Sequence, residues 1–272
     1  MPGVTYLRPR DVADAVRLYA EHPPLACRPL AGGTDIMVML HAGALEPAPL
    51  ALLDLWPLGE LKGIRRVSGG GALEIGAAEP YSGIIRSALA QKHLPALVAA
   101  SQTIGAAQIQ NRGTLGGNLA NASPAGDTLP VLLAADAVVV TDRRTIPVAD
   151  FFTGYRRTAL QAGELIVAVR FPLDGRVLRF RKVGTRAAQA ISKVVVAVSS
   201  APARVAVGSV AEVPLRARMA EAALGRGDVD GAVAAVAADI RPIDDVRSTA
   251  AYRSAVTQNV LRQLLTEMRT PQ

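Results

Sequence analysis

The chain has 272 residues, 50% of them hydrophobic, and a formal net charge of +7. This hydrophobic fraction excludes a disordered chain, and the 24 glycines and 18 prolines follow no period, which excludes collagen. No apolar run approaches the roughly 20 residues of a membrane helix and the start lacks the features of a signal peptide, so we expect a cytoplasmic protein without a membrane span.

The N-terminal segment predicts a helix followed by a β-α-β unit. Asp11 is a plausible N-cap for the helix. A buried strand over 28–31 then leads into two glycines, an apolar helix over 36–40 and a second strand over 50–55. Residues 57–59 are interpreted as a linker.

The middle of the chain changes character. Strands at 64–67 and 72–75 flank three glycines, which we interpret as a hairpin turn. Residues 81–104 are mostly helical in pattern, with an interruption at Pro95. The segment 105–130 is rich in turn residues, and a turn-rich segment of that length inside a domain is usually functional. Further strands are predicted at 132–140, 145–148 and 165–171.

After a break at 172–175, the C-terminal part predicts both strands and helices. The strands are expected at 177–183, 191–198 and 205–207, and the helices at 215–225, 229–238 and 249–268. Residues 1–175 hold 15 Lys+Arg and 15 Asp+Glu, whereas residues 176–272 hold 15 and 8, so the positive surplus lies in the last third.

This surplus has two interpretations, a solvated arginine face or a docking face for an acidic partner protein. A dense basic run with interleaved aromatic residues, as in many nucleic-acid sites, is absent from the sequence, so we expect no nucleic-acid partner. The arginines assigned to a docking face are Arg216, Arg218, Arg226, Arg253 and Arg262.

Several classes of active site are excluded by motifs that the sequence lacks. There is no G-x-x-x-x-G-K-[ST], no G-x-G-x-x-G, no H-E-x-x-H and no C-x-x-C. The single cysteine, Cys27, supplies neither an intrachain disulfide nor an iron–sulfur or thiolate zinc site. The three histidines share no spacing, so we expect no metal ligands and no catalytic triad.

Three motifs suit a dinucleotide. The sequence AGGTD at 31–35 can present successive N–H groups to a phosphate, or it is an ordinary strand–helix turn. The sequence NRGTLGGN at 111–118 is a second candidate anion cradle, or an irregular loop. In SPAGD at 123–127, the carboxylate of Asp127 suits ribose hydroxyls, or it caps a helix.

Together these motifs resemble the FAD-binding medium subunit of molybdenum hydroxylases, the family of xanthine dehydrogenase and aerobic carbon monoxide dehydrogenase. The resemblance includes AGGTD at 31–35, QIQNRGTLGGN at 108–118 and SPAGD at 123–127. It continues in order through GELI at 163–166, RKVGTR at 181–186 and RPIDDVR at 241–247.

The resemblance implies an α+β fold. Two α/β FAD-binding subdomains of the p-cresol methylhydroxylase-like type would be followed by a C-terminal antiparallel sheet with helices. The expected boundaries are 1–56 and 57–172 for the FAD-binding subdomains and 173–272 for the C-terminal domain.

The resemblance also implies the cofactor site. Residues 30–36 and 113–118 would hold the pyrophosphate and ribityl chain, Ile104 would pack on the adenine side and Asp127 would bind the adenosine ribose. Ile166 would pack against the isoalloxazine, with Lys182 near it. The full set is Leu30, Ala31, Gly32, Gly33, Thr34, Asp35, Ile36, Ile104, Gly113, Thr114, Gly116, Gly117, Asn118, Ala120, Asp127, Ile166 and Lys182.

The implied function is that of an oxidoreductase subunit. Electrons from [2Fe-2S] clusters on a small partner subunit would pass through FAD to NAD or another acceptor, while a large subunit carries the molybdenum cofactor. No side chain of this chain need be catalytic. The alternatives are a stand-alone flavoprotein oxidoreductase and a flavin-free interaction module that docks through its basic last third.

Two departures from the family pattern stand out, together with a hint about the substrate. Gln110 replaces a usual Arg, and the residues 199–202 replace a longer hairpin. The stretches 184–186 and 191–193 favour a xanthine dehydrogenase-like enzyme, whereas purines, heterocycles such as nicotinate, aldehydes and carbon monoxide all stay open as substrates.

Overall fold

The computed structural model describes residues 3–23, 26–45, 50–187 and 189–269. Its three main sheets lie in three successive stretches of the chain, each with helices packed against it. The fold is therefore mixed α and β, which confirms the predicted fold class.

The first sheet is parallel and has three strands. Its elements in chain order are β1 (Val4–Leu7), α1 (Val12–Ala20), β2 (Cys27–Leu30), α2 (Ile36–His41) and β3 (Leu50–Asp54). The strand order is β1-β3-β2, and β3 pairs in parallel with both neighbours. Asp11 caps α1 by accepting a hydrogen bond from the Asp14 N–H, so both the predicted helix and the β-α-β unit are confirmed.

The second region holds a five-stranded antiparallel sheet and a small hairpin. Its strands are β4 (Ile64–Arg66), β5 (Ala72–Gly76), β6 (Val138–Thr141), β7 (Thr145–Pro147), β8 (Phe152–Gly154), β9 (Arg157–Thr158) and β10 (Ile166–Pro172). The sheet order is β4-β5-β10-β6-β7, while β8 and β9 pair with each other. The predicted hairpin at 64–75 is confirmed as β4 and β5.

Six short helices pack between the strands of this region. They are α3 (Tyr81–Arg86), α4 (Ala88–His93), α5 (Pro95–Gln102), α6 (Ala107–Gln110), α7 (Leu115–Asn121) and α8 (Leu129–Ala134). Pro95 stands in the first turn of α5, where its missing N–H costs no hydrogen bond.

The prediction of one strand over 132–140 is wrong, because its first part belongs to a helix. Every residue of α8 is buried, so its apolar run lacks the alternation that would distinguish a helix from a buried strand. Pro130 stands in the first turn of the helix, and the strand β6 begins only at Val138. The segment 105–130 likewise contains two short helices within its turns.

The third region is a four-stranded antiparallel sheet covered by three helices. Its elements are β11 (Leu178–Val183), β12 (Val194–Ser199), β13 (Arg204–Gly208), β14 (Leu215–Arg216), α9 (Arg218–Gly225), α10 (Val229–Asp239) and α11 (Ala250–Arg269). The strands pair in sequence order, and the residues 200–203 form the short connection between β12 and β13. The three predicted helices here are confirmed. α10 starts at Val229 as predicted, whereas α9 and α11 start three residues and one residue later than predicted.

The second and third regions share apolar core and a network of ion pairs. Asp136 follows α8 and forms salt bridges to Arg176 (2.9 Å), Arg204 (3.0 Å) and Arg216 (2.9 Å). Burial alone would raise the pKa of Asp136, but hydrogen bonds from Arg204 and Arg176 hold it below its ordinary value. This network joins the end of α8 to β13, β14 and the segment before β11.

A docking face made of all five arginines, one of the two interpretations of the positive surplus, is wrong because two of the five are buried. Arg216 has a side chain only 7% exposed, between Asp136 and Glu221. Arg253 is 3% exposed and pairs with Asp245. These two guanidinium groups serve internal ion pairs, which the local sequence could not reveal because their partners lie elsewhere in the chain. Among the described residues, no helix has the length and apolar character needed to cross a membrane.

Candidate functional site

Two glycine-rich loops meet at the junction of the first and second sheets. The first glycine loop (residues 31–35) joins β2 to α2, and the second glycine loop (residues 111–118) leads from α6 into α7. A Cβ atom on Gly32 would lie 1.6 Å from the carbonyl oxygen of Arg112. Only glycine permits this approach, so the contact between the loops depends on Gly32.

The first glycine loop presents unused hydrogen-bond donors. Gly33 has φ +79°, a conformation that favours glycine. Within the described part of the chain, the N–H groups of residues 33–36 donate to no protein acceptor. Successive free N–H groups of this kind are what an anionic phosphate requires.

The second glycine loop uses its glycines differently. The Gly116 N–H donates to the Ala77 carbonyl (2.9 Å), and the Gly117 N–H donates to the Thr114 hydroxyl (3.0 Å), which caps α7. A Cβ atom on Gly116 would lie 2.6 Å from the Ala77 carbonyl oxygen. These glycines therefore allow close packing, and the loop offers fewer free N–H groups than its glycine count predicts.

Side-chain hydrogen bonds fix the far end of the two loops. Asn118 accepts from the Thr128 hydroxyl (2.7 Å), which leaves its Nδ2 as the donor for a ligand. Asn121 donates to Asp35 (2.9 Å) and accepts from Arg156 (2.6 Å). Burial raises the pKa of Asp35, with the charge of Arg156 opposing that rise. No local sequence signal identifies Asn121, because its partner Asp35 is distant in the chain.

A buried ion pair connects the third sheet to this site. Lys182 on β11 donates to Asp127 Oδ2 at 2.6 Å, and the two side chains are 5% and 10% exposed. Asp127 Oδ1 is buried and has no hydrogen-bond partner among the residues that the structure describes. Burial raises the pKa of Asp127, whereas the Lys182 ammonium and, to a smaller extent, the nearby Ser192 hydroxyl oppose that rise. The Ser192 hydroxyl donates to the Ala125 carbonyl (3.1 Å), so it does not satisfy Oδ1. A buried carboxylate oxygen without a partner is an acceptor suited to a hydroxyl donor.

The structure brings Lys182 to the residues expected at the adenosine. Its Nζ also donates to the Thr103 carbonyl at 3.2 Å, directly before Ile104. Lys182 is thus in contact with Asp127 and with the residue before Ile104, and the place of each of these side chains at FAD stays a prediction. The long side chain of Lys182 extends from β11 to Asp127. The sequence does not indicate this contact, because the two residues are 55 positions apart.

The remaining predicted residues differ in how deeply they are buried. Ile104 is half-buried against the core of the second region, and Ile166 is buried at the start of β10. Ala120 is exposed on α7. Gln110, the departure from the family pattern, donates to the carbonyls of Gln102 (3.2 Å) and Ile104 (3.1 Å), so it serves the local turn.

Two family models match the chain. Residues 2–174 match the FAD binding domain in molybdopterin dehydrogenase, and residues 179–268 match the CO dehydrogenase flavoprotein C-terminal domain. The first match alone covers more than half of the chain.

Curated relatives and a solved structure are similar over almost the whole length. The xanthine dehydrogenase FAD-binding subunit of Escherichia coli O157:H7 is 29% identical, covering 97% of this chain and 95% of the relative. The carbon monoxide dehydrogenase medium chain of Afipia carboxidovorans is 32% identical, with 97% and 96% covered. The structure of carbon monoxide dehydrogenase from Hydrogenophaga pseudoflava aligns with a TM-score of 0.89 at 30% identity, with 97% and 96% covered.

Proposed function

Since the chain belongs to the family of FAD-binding domains of molybdopterin dehydrogenases, we propose that it is the flavin subunit of a molybdenum-containing hydroxylase. In this proposal, electrons from iron–sulfur clusters on a small partner subunit pass through FAD to NAD or another acceptor. The molybdenum cofactor belongs to a large partner subunit. Three of the relatives are named medium chains, which supports a multi-subunit enzyme.

The observation that most strongly supports cofactor binding is the unpartnered Oδ1 of Asp127. A ribose hydroxyl would donate to this atom, while Oδ2 keeps its bond to Lys182. The free N–H groups of the first glycine loop would hold the diphosphate, together with Asn118 Nδ2 from the second. These residues fit the two chemically distinct parts of one dinucleotide.

The protein's contribution is to bind and orient the cofactor, which itself supplies the redox chemistry. Asp127, Lys182 and Ile104 are proposed at the adenosine. Ile166 is proposed nearer the isoalloxazine because its neighbour Val167 is linked to the second glycine loop. The Val167 carbonyl accepts from the Ala77 N–H, and Ala77 packs against Gly116 of that loop. No side chain in this arrangement is proposed as a general acid or base.

The domain division and the substrate are further parts of the proposal. Boundaries near 56 and 172 are supported by the end of the first sheet at Asp54 and of the second sheet at Pro172. A xanthine dehydrogenase-like enzyme is the finer proposal, supported by the two Escherichia coli relatives. Relatives named for glyceraldehyde, nicotine, nicotinate and caffeine indicate how widely the substrate varies across such enzymes.

A test begins with the visible spectrum and metal content of the purified chain, alone and with its partners. Flavin absorption, together with partner chains containing molybdenum and iron, is the expected result. Flavin with turnover in the isolated chain would favour a stand-alone flavoprotein instead. A chain that binds no FAD on titration would contradict the proposed function and favour an interaction module.

A further inference from the structure

The only tryptophan of the chain stacks against a residue of the second glycine loop. The guanidinium carbon of Arg112 lies 3.9 Å from the centroid of the Trp56 ring, and Lys62 Nζ lies 4.3 Å from the same centroid. Both distances are within the range of a cation–π interaction. Trp56 follows β3, and its own N–H donates to Asp54 (3.1 Å), so the indole stands on the end of the first sheet.

Arg112 also contacts the first glycine loop through both its side chain and its backbone. Its Nε donates to the Gly32 carbonyl at 3.4 Å, a long hydrogen bond. Its own carbonyl occupies the space where a Cβ atom on Gly32 would stand. Among the described residues, no carboxylate lies within ion-pair distance of Arg112, so the aromatic face is its main side-chain partner.

Arg112 therefore joins three segments of chain that are far apart in sequence: the end of β3, the first glycine loop and the second glycine loop. We infer that Arg112, held by Trp56, is a positioning residue that sets the separation of the two glycine loops and so preorganises the site for FAD. The inference rests on the proposed function. Preorganised loops bind more tightly because less ordering is left to occur on binding.

A simpler role for Arg112 would be attraction of the cofactor's phosphates by its charge. The two roles predict different results. Positioning depends on the planar guanidinium and on the indole, whereas attraction depends only on a positive charge near the site. Attraction of an exposed charge also fades with salt, since the screening length falls from about 30 Å at 0.01 M to about 8 Å at 0.15 M.

The experiment measures FAD binding to the full-length apoprotein by calorimetry at low and moderate salt. The variants are Arg112→Lys and Trp56→Leu, with Trp56→Phe as the conservative replacement. Lys62→Met is the matched control, because Lys62 contacts the same indole but has no hydrogen bond to either glycine loop among the described residues. Unfolding by urea shows which variants are folded.

We expect Arg112→Lys and Trp56→Leu each to raise the Kd for FAD about tenfold, equally at both salt concentrations. The double variant should be little weaker than either single variant, because each change removes the same contact. Trp56→Phe should bind within about threefold of wild type, and Lys62→Met should bind normally.

Two outcomes would overturn the inference while leaving the proposed function intact. One is wild-type affinity in Trp56→Leu. The other is wild-type affinity in Arg112→Lys, which would leave charge alone as the role of Arg112. If Trp56→Leu fails to fold, the Arg112→Lys result decides. If the wild-type chain itself binds no FAD, the proposed function fails.

Discussion

Lys182 Nζ lies 2.6 Å from Asp127 Oδ2, and this ion pair ties β11 of the third sheet to the loop between α7 and α8. The second oxygen of the same carboxylate is left buried without a partner among the described residues. The third sheet thus reaches into the candidate site through Lys182. The residues that flank its strands also hold the loop that carries Asp127, because the Ser192 hydroxyl donates to the Ala125 carbonyl (3.1 Å) and the Ser209 N–H donates to the Pro124 carbonyl (2.8 Å).

Replacing Asp127 by Ala should weaken FAD binding by about 1–3 kcal/mol, the range for leaving buried polar partners unmatched. The ribose hydroxyl would lose its acceptor, and Lys182 would lose its counter-ion. Titration calorimetry of the folded apoprotein measures the change. An unchanged Kd for FAD would show that Asp127 serves only the ion pair with Lys182.

Replacing Gly32 by Ala should abolish tight FAD binding while much of the fold survives. The new Cβ would lie 1.6 Å from the Arg112 carbonyl oxygen, so the two glycine loops must separate. Gly71→Ala is the control, because nothing lies within 4 Å of a Cβ atom there. Flavin-to-protein ratio and circular dichroism are measured together. Full flavin content in Gly32→Ala would contradict the close contact between the loops.

Replacing Asp136 by Asn should destabilise the protein by about 2–3 kcal/mol, because three arginines lose their shared carboxylate. Loss of one partner in a fully buried pair costs roughly 3–5 kcal/mol, and Asp136 is 28% exposed, so we expect less. Asp230→Asn is the matched control, since Asp230 pairs with Arg262 but is 83% exposed. Equal urea midpoints for the two variants would contradict this role of Asp136.

Replacing Glu164 by Gln should reduce stability at neutral pH but not at strongly acidic pH. Burial alone would raise the pKa of Glu164, but hydrogen bonds from Arg144, the Gln161 N–H and Thr141 lower it from 4.5 to about 2. A carboxylate whose pKa is lowered on folding stabilises the fold at every pH above its ordinary pKa. This stabilisation is lost as the pH falls towards the pKa of the folded state. Wild type and variant should therefore converge between about pH 4.5 and about pH 2.

Glu21→Gln provides the reference for that experiment. Glu21 pairs with Arg17, and both side chains are more than half exposed, so its loss should change stability little. A difference between wild type and Glu164→Gln that stays constant down to pH 2 would mean that packing, not ionisation of Glu164, accounts for the loss.

The sequence alone predicts those helices and strands whose pattern lies within a short segment of the chain. Asp11 and its capped helix follow from one residue type before an apolar period, and the β-α-β unit follows from two apolar runs around Gly32 and Gly33. The apolar run of α8 is wrongly predicted to be part of a strand, because a helix buried on all sides has no polar face to identify it.

The parts of the site that the sequence did not predict depend on contacts between distant residues. Lys182 and Asp127 are 55 residues apart, and Arg112 and Gly32 are 80 apart. A resemblance named Lys182 as a site residue but could not say which partner its ammonium would take. The sequence also does not show that Gly116 packs against Ala77. A glycine whose N–H binds a ligand and a glycine that allows close packing cannot be distinguished by sequence alone.

Trp56 is the sole tryptophan, and it stands against the second glycine loop through Arg112. Indole emission overlaps the absorption of an oxidised flavin, so a flavin bound between the loops would quench this single emitter by energy transfer. The fluorescence of Trp56 therefore measures how much of the protein has bound FAD, without an added label and from one known position in the fold.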